Sequence, residues 1–140
     1  MRVFLDTSVL FSAIFSAGGH ARELLHLAAR ETLTLVISQE VLEETERNLR
    51  KKSPEKLPLF TMLIVVLQPD IVDDLTPEEV AAAAVYTVQK DAPIVAAAIK
   101  TKADYLVTYD HKDLLDPPEV AEKSGLTIVR PEEVVKRFRH

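Results

Sequence analysis

Two aspartates each stand directly after an apolar run. Asp6 closes Arg2-Val3-Phe4-Leu5, and Asp110 closes Tyr105-Leu106-Val107-Thr108-Tyr109. Two further acids stand on helical patterns: Glu44, six residues after Ser38, and Asp91, two residues before Pro93. The sequence has no cysteine and no paired histidine motif, so a site built from these residues would be all oxygen. Mg2+ and Mn2+ prefer such carboxylate and water ligands. A bound ion polarises a phosphoryl oxygen and lowers the pKa of a bound water, and two ions roughly 3.5–4 Å apart stabilise both attacking and leaving oxygens. The chemistry suggested is phosphodiester hydrolysis. Carboxylates gathered without cations repel one another, so the metal-free site is expected to be strained and to gain stability on binding metal.

These residues are useful only if the elements bring them to one place. Residues 2–5 read as a first strand, residues 8–15 as a helix interrupted by Gly18-Gly19, and residues 20–30 as a second helix. Residues 33–37 read as a second strand. Ser38 then caps a helix that runs from Glu40 to Lys52. A turn at Ser53-Pro54 leads into a helix reaching about Leu67, which Gln68-Pro69-Asp70 interrupts. Thr76-Pro77-Glu78-Glu79 combines a threonine cap, proline at the first helical position and glutamate at the third, and opens a helix to about Val88. A helix over 94–101, strands over 105–109 and 127–129, and a closing helix over 131–138 complete the chain. Strands alternating with helices predict an α/β fold, a three-layer α/β/α sandwich around a central parallel sheet, with residues 1–140 as a single domain. In such sheets ligands bind at the carboxyl ends of the strands, where Asp6 and Asp110 fall. Asp104 lies at the amino end of its strand and is set aside.

Each acid also has an ordinary reading. Asp6 and Asp91 suit helix caps, and Asp110 suits a turn. Glu44 has rivals in Glu40, Glu43 and Glu46 on the same helix.

Composition bounds the rest. The 140 residues are 47% hydrophobic and 28% charged, as in an ordinary globular protein. The absence of cysteine excludes disulfides, thiolate metal sites and a cysteine nucleophile. No apolar run approaches the roughly 18 residues needed to span a bilayer. The opening MRVFLDTSVL reads as a strand rather than a leader, so a cytoplasmic location is expected. Net charge is −5, so binding of a nucleic acid requires something to offset the chain's own carboxylates.

With these motifs in order, the chain resembles the PIN-domain family over nearly its whole length. Val3-Phe4-Leu5-Asp6-Thr7-Ser8-Val9-Leu10 is similar to the family's first motif. Ser38-Gln39-Glu40-Val41-Leu42-Glu43-Glu44 resembles the second, and its register selects Glu44 over Glu43. The run from Asp91 to Ala98 resembles the third, an aspartate opening an alanine-rich helix. Ala103 to Asp110, followed by Asp113-Leu114-Leu115, resembles the fourth. The resemblance implies that Asp6, Glu44, Asp91 and Asp110 hold one or two Mg2+ or Mn2+ ions. Thr7, Ser8 and Thr108 would support them by hydrogen bonds, with Asp113 as accessory. Ser8 departs mildly from the family, where asparagine is frequent. His111 reads as a surface turn residue or a contact to substrate phosphate.

The implied activity is metal-dependent endonucleolytic cleavage of RNA. Small single-domain members resemble toxins of toxin–antitoxin pairs, which implies an antitoxin protein as partner. A homodimer is also implied, with the apolar stretch 60–67 as either interface or core. Three alternatives remain at this point. A haloacid-dehalogenase-like phosphatase wants a second aspartate where Ser8 stands. A receiver-like module wants an acidic pair where Arg2 and Val3 stand. A PIN fold that binds RNA or a partner without cleavage is the third.

Overall fold

A computed structural model describes residues 1–30, 32–72 and 75–138. Five strands form one all-parallel sheet in the order β3-β2-β1-β4-β5: β1 Arg2–Leu5, β2 Thr34–Ser38, β3 Asp70–Val72, β4 Tyr105–Val107 and β5 Ile128–Val129. The central strands carry uninterrupted apolar runs because helices cover both faces. Val3, Phe4, Leu5, Val36, Leu106 and Val107 are wholly excluded from solvent.

Among the described residues the α-helices are α1 Thr7–Phe15, α2 His20–Ala29, α3 Gln39–Lys52, α4 Leu57–Leu67, α5 Pro77–Ala83, α6 Ala92–Lys100 and α7 Pro118–Ser124 between the strands, and α8 Pro131–Arg137 after β5. The route of the chain fixes their layers. From β1 to β2 to β3 the chain steps one way across the sheet; from β3 to β4 to β5 it steps the other way. Right-handed crossovers then put α1 to α4 on one face and α5, α6 and α7 on the other. Packing agrees, with α1 against α2 and α3 and with α5 against α6, which lies along β2 and β4. The alanines of α6 let it lie close to the sheet: Ala92, Val95, Ala96, Ala97 and Ala98 are all buried.

The α/β/α expectation holds, and three local readings are corrected. The residues Asp70–Val72 form a fifth strand, paired Val36 to Asp70 and Ile37 to Ile71, where the sequence suggests only an interruption. It is an edge strand of three residues with two exposed, so it lacks the apolar run that marks a buried strand. The helix opened by Thr76 forms the expected capping box but ends at Ala83, where bonds from Val85 to Ala82 and from Tyr86 to Ala83 tighten the chain into a turn. Finally, a single π turn, His111–Leu115, and α7 fill the stretch between β4 and β5. Pro118 takes the first position of α7, where proline is tolerated.

Candidate active site

The strand order reverses between β1 and β4. The chain leaves β1 toward one face and β4 toward the other, which opens a crevice at their carboxyl ends. Asp6 and Asp110 flank that crevice. Leu5 pairs with Val107, and the Asp6 N–H donates to the Val107 carbonyl at 3.2 Å, so Asp6 lies level with Thr108.

Asp6 is 5% exposed. It does cap α1, accepting from the Val9 N–H at 3.2 Å. Its carboxylate does more than cap, because the Ser8 hydroxyl donates to Oδ1 at 2.6 Å and the Thr108 hydroxyl donates to Oδ2. Burial raises its pKa against the lowering effect of these hydrogen bonds, and the nearby Asp110 charge adds to the rise. Thr108 is fully buried and also accepts from the Asp110 N–H at 2.9 Å. One hydroxyl therefore ties the two strand-end aspartates together. Ser8 makes a second link, accepting from the Tyr109 N–H at 3.2 Å. The serine that departs from the family pattern thus still orients the carboxylate. Thr7 does not: its hydroxyl is buried and has no hydrogen-bond partner among the described residues, so the expected supporting bond is not formed.

Asp110 caps the π turn, accepting from the Asp113 N–H at 3.1 Å. That turn swings the Asp113 carboxylate back over its own cap. Asp91, Asp110 and Asp113 present oxygens all within 4.8 Å of one another. Asp91 arrives from a one-turn 3-10 segment, Gln89–Asp91, ahead of α6. It stands at the cap position of α6, yet its backbone is helical and its side chain makes no cap bond. One of its oxygens, Oδ2, is buried without a hydrogen-bond partner. Burial, then the charge of Asp110, pushes its pKa up to about 6. Lys90 supplies the local counter-charge. Its ammonium lies 3.1 Å from Asp113 and 3.7 Å from Asp110, and the hydrogen bond to Asp113 raises its own pKa.

Glu44 lies outside this tight group. It sits in the second turn of α3, which Ser38 caps through a bond from the Val41 N–H at 3.1 Å. Of the four glutamates on α3 it is the half-buried one; Glu40, Glu43 and Glu46 are exposed. Glu43 bonds Gln39 and Glu46 pairs with Arg50 along the helix surface. Sequence reasoning underrated Asp113 and missed Lys90. The three-residue spacing from Asp110 to Asp113 was the available signal for the first, and the adjacency of Lys90 to Asp91 for the second.

These residues fit a divalent cation: three carboxylates converge, one buried oxygen has no partner, and an ammonium already occupies part of their field. The raised Asp91 pKa has a consequence for stability. Folded Asp91 binds its proton more tightly than the unfolded chain does. Its destabilising effect is therefore absent below pH ~4, grows as pH rises, and is complete above pH ~6. It is on the order of 2 kcal/mol once solvent screening is allowed for. Buried Asp6 acts with the same sign. Without divalent metal, the wild type is expected to lose more stability than Asp91→Asn between pH 5 and 7.5 in urea unfolding. Equal losses in the two proteins would refute this account of Asp91.

A family model described as PIN domain matches residues 2–112. The chain belongs to the PIN-domain family. The match contains Asp6, Glu44, Asp91 and Asp110 and ends before Asp113. It sets aside the haloacid-dehalogenase-like and receiver-like readings. Two solved structures share this chain's fold. A chain of VapBC2 from Rickettsia felis, bound to a DNA fragment from their promoter, is 20% identical with a TM-score of 0.64, over 91% of this chain and 97% of that one. PAE2754 from Pyrobaculum aerophilum is 21% identical with a TM-score of 0.61, over 98% of this chain and 97% of that one. Among curated proteins none is significantly similar in sequence.

Proposed function

We propose that this PIN domain is a metal-dependent endoribonuclease and the toxin of a toxin–antitoxin pair. The observation that carries the reading is the convergence of Asp91, Asp110 and Asp113 within 4.8 Å beside the buried Asp6, at the crevice where the strand order reverses. Asp6, Asp91 and Asp110 would hold Mg2+ or Mn2+, with Asp113 as an additional ligand and Glu44 approaching from α3. When bound, the ion neutralises charge on phosphoryl oxygens and acidifies water. The protein's own part is positional. Ser8 and Thr108 hold the Asp6 carboxylate at a fixed orientation, and the α1 cap stops it turning away. Lys90 balances the acidic group until a cation arrives.

The likeness to VapBC2 over nearly the whole chain supports the toxin part of the proposal. An antitoxin covering the acidic crevice would be its partner. Homodimer formation belongs to the same reading: Met62, Val65 and Val66 of α4 are 52%, 66% and 63% exposed, a larger apolar surface than solvent favours. Among the described residues no helix is long and apolar enough to cross a membrane. A cytoplasmic setting is part of the proposal, because that is where its RNA would be met.

Incubation of single-stranded RNA with the protein alone, with Mn2+ or Mg2+, tests the proposal. Wild type should cut internally, EDTA should stop it, and Asp6→Asn should be nearly inert. Equal cutting by wild type and Asp6→Asn, or none by wild type with metal, would overturn it.

A further inference from the structure

The acidic crevice poses a problem that the carboxylates do not solve. An RNA strand brings several phosphates to a chain of net charge −5, and only the one being cut meets the ions. Lys90 is already engaged with Asp110 and Asp113. A second cation stands at the end of the neighbouring strand. Arg130 follows β5, whose Val129 pairs with Val107, and the Thr108 N–H donates to the Val129 carbonyl at 3.0 Å. Arg130 is therefore on the same carboxyl rim, one strand from Asp110. It also lies beyond the stretch that the family model matches.

Its side chain is held on three sides. Nε donates to Glu132 Oε2 at 3.0 Å, and Nη1 lies 2.7 Å from His111 Nε2. The guanidinium carbon sits over the Tyr109 ring at 5.2 Å from its centre. Arginine only donates, so His111 Nε2 accepts and the ring proton is on Nδ1, which lies 3.4 Å from Asp116 Oδ1. His111 is thus spent on orienting the arginine, and its Nε2 is not open to a phosphate. Tyr109 and His111 flank the site aspartate Asp110 in sequence, so the same short segment fixes both the acid and the cation. Of the five guanidinium donors, two are used. Nη2 has no partner among the described residues, and the side chain remains 38% exposed. Three donors are left, two of them on Nη2, on a guanidinium already held in place, so a phosphate that accepts from them costs little side-chain entropy on binding.

We propose that Arg130, clamped by Tyr109, His111 and Glu132, grips a phosphate of the RNA strand adjacent to the one presented to the carboxylates. This rests on the nuclease reading, and deepens it by assigning the residue that sets the strand's register. Arg130 is a substrate-binding residue; Tyr109 and His111 act through it.

The test measures binding of a labelled single-stranded RNA to Asp6→Asn protein in Mg2+, with and without Arg130→Gln, across a salt series. Losing one charged contact should weaken binding about tenfold and flatten the slope of log K against log salt by about 0.7. Arg130→Lys should keep most of that slope yet still bind more weakly, because a point charge lacks the fork. In the otherwise wild-type protein Arg130→Gln should raise KM with kcat nearly unchanged. Circular dichroism checks that each variant is folded. Unchanged affinity and slope in Arg130→Gln would overturn the proposal, even if wild type cleaves RNA. An Arg130-dependent slope in a protein that never cleaves would sustain the grip and sink the nuclease reading. Arg130-dependent capture of an acidic peptide, with RNA binding indifferent to the substitution, would assign the residue to a protein partner and also overturn the proposal.

Discussion

Asp110→Asn should lose RNA cleavage by on the order of 100-fold to 1,000-fold, while its folded state in EDTA becomes more stable than wild type. The two halves have one cause. Asp110 is the shared neighbour of the acidic group: its charge raises the pKa of both Asp6 and Asp91. Removing it relieves repulsion that the metal-free protein has to bear. Asparagine keeps the side-chain oxygen that accepts from the Asp113 N–H, so the cap of the π turn survives. The Thr108 hydroxyl also still reaches Asp6. The loss of cleavage would therefore report the missing negative charge rather than a collapsed loop. Cleavage rates with Mn2+ and urea unfolding in EDTA, run on the same preparation, check both halves. A variant that is inactive but less stable would contradict the electrostatic account and favour a plain structural role.

The second large effect lies in the scaffold. Phe4→Ala should destabilise the protein by about 3–5 kcal/mol, a large part of the total stability of a domain of this size. Phe4 is fully buried at the middle of β1, between Val36 on β2 and Leu106 on β4. Truncation removes a large apolar side chain where the parallel strands on either side cannot close the gap without shifting the ladder. The site would suffer too, since Asp6 stands two residues on, just past the end of the same strand. Urea unfolding in EDTA measures the effect; a loss below about 1 kcal/mol would mean that the sheet repacks.

How legible was this site in the sequence? β1 and β4 declared themselves by apolar runs ending in aspartate, and parallel strands buried on both faces leave that signature. The caps at Ser38 and Thr76 were readable because capping depends on residues three apart. β3 was not, because an edge strand of three residues is set by its neighbour's hydrogen bonds and by the Arg2–Asp70 ion pair, not by its own composition. Asp91 illustrates the boundary. Its sequence context fits a helix cap, and only the helical backbone at that residue, with no cap bond made, frees its carboxylate for the crevice. Asp113 was legible only as an accessory, and Lys90 and Arg130 were hidden, for a related reason. Each reaches the site through a tight turn or a two-residue strand, elements too short to carry a periodic signal. The supporting hydroxyls divide similarly: Ser8 and Thr108 bond Asp6, whereas the adjacent Thr7 turns its hydroxyl into the interior.

The central claim is that the carboxylates at the β1–β4 crevice form a divalent-metal site. Calorimetric titration of Mn2+ into metal-free wild type, Asp110→Asn and Asp91→Asn tests it most directly. The account predicts saturable binding by wild type and affinity at least about tenfold weaker in both variants. Mn2+ binding of the same strength in all three proteins, or no saturable binding in wild type, would contradict it.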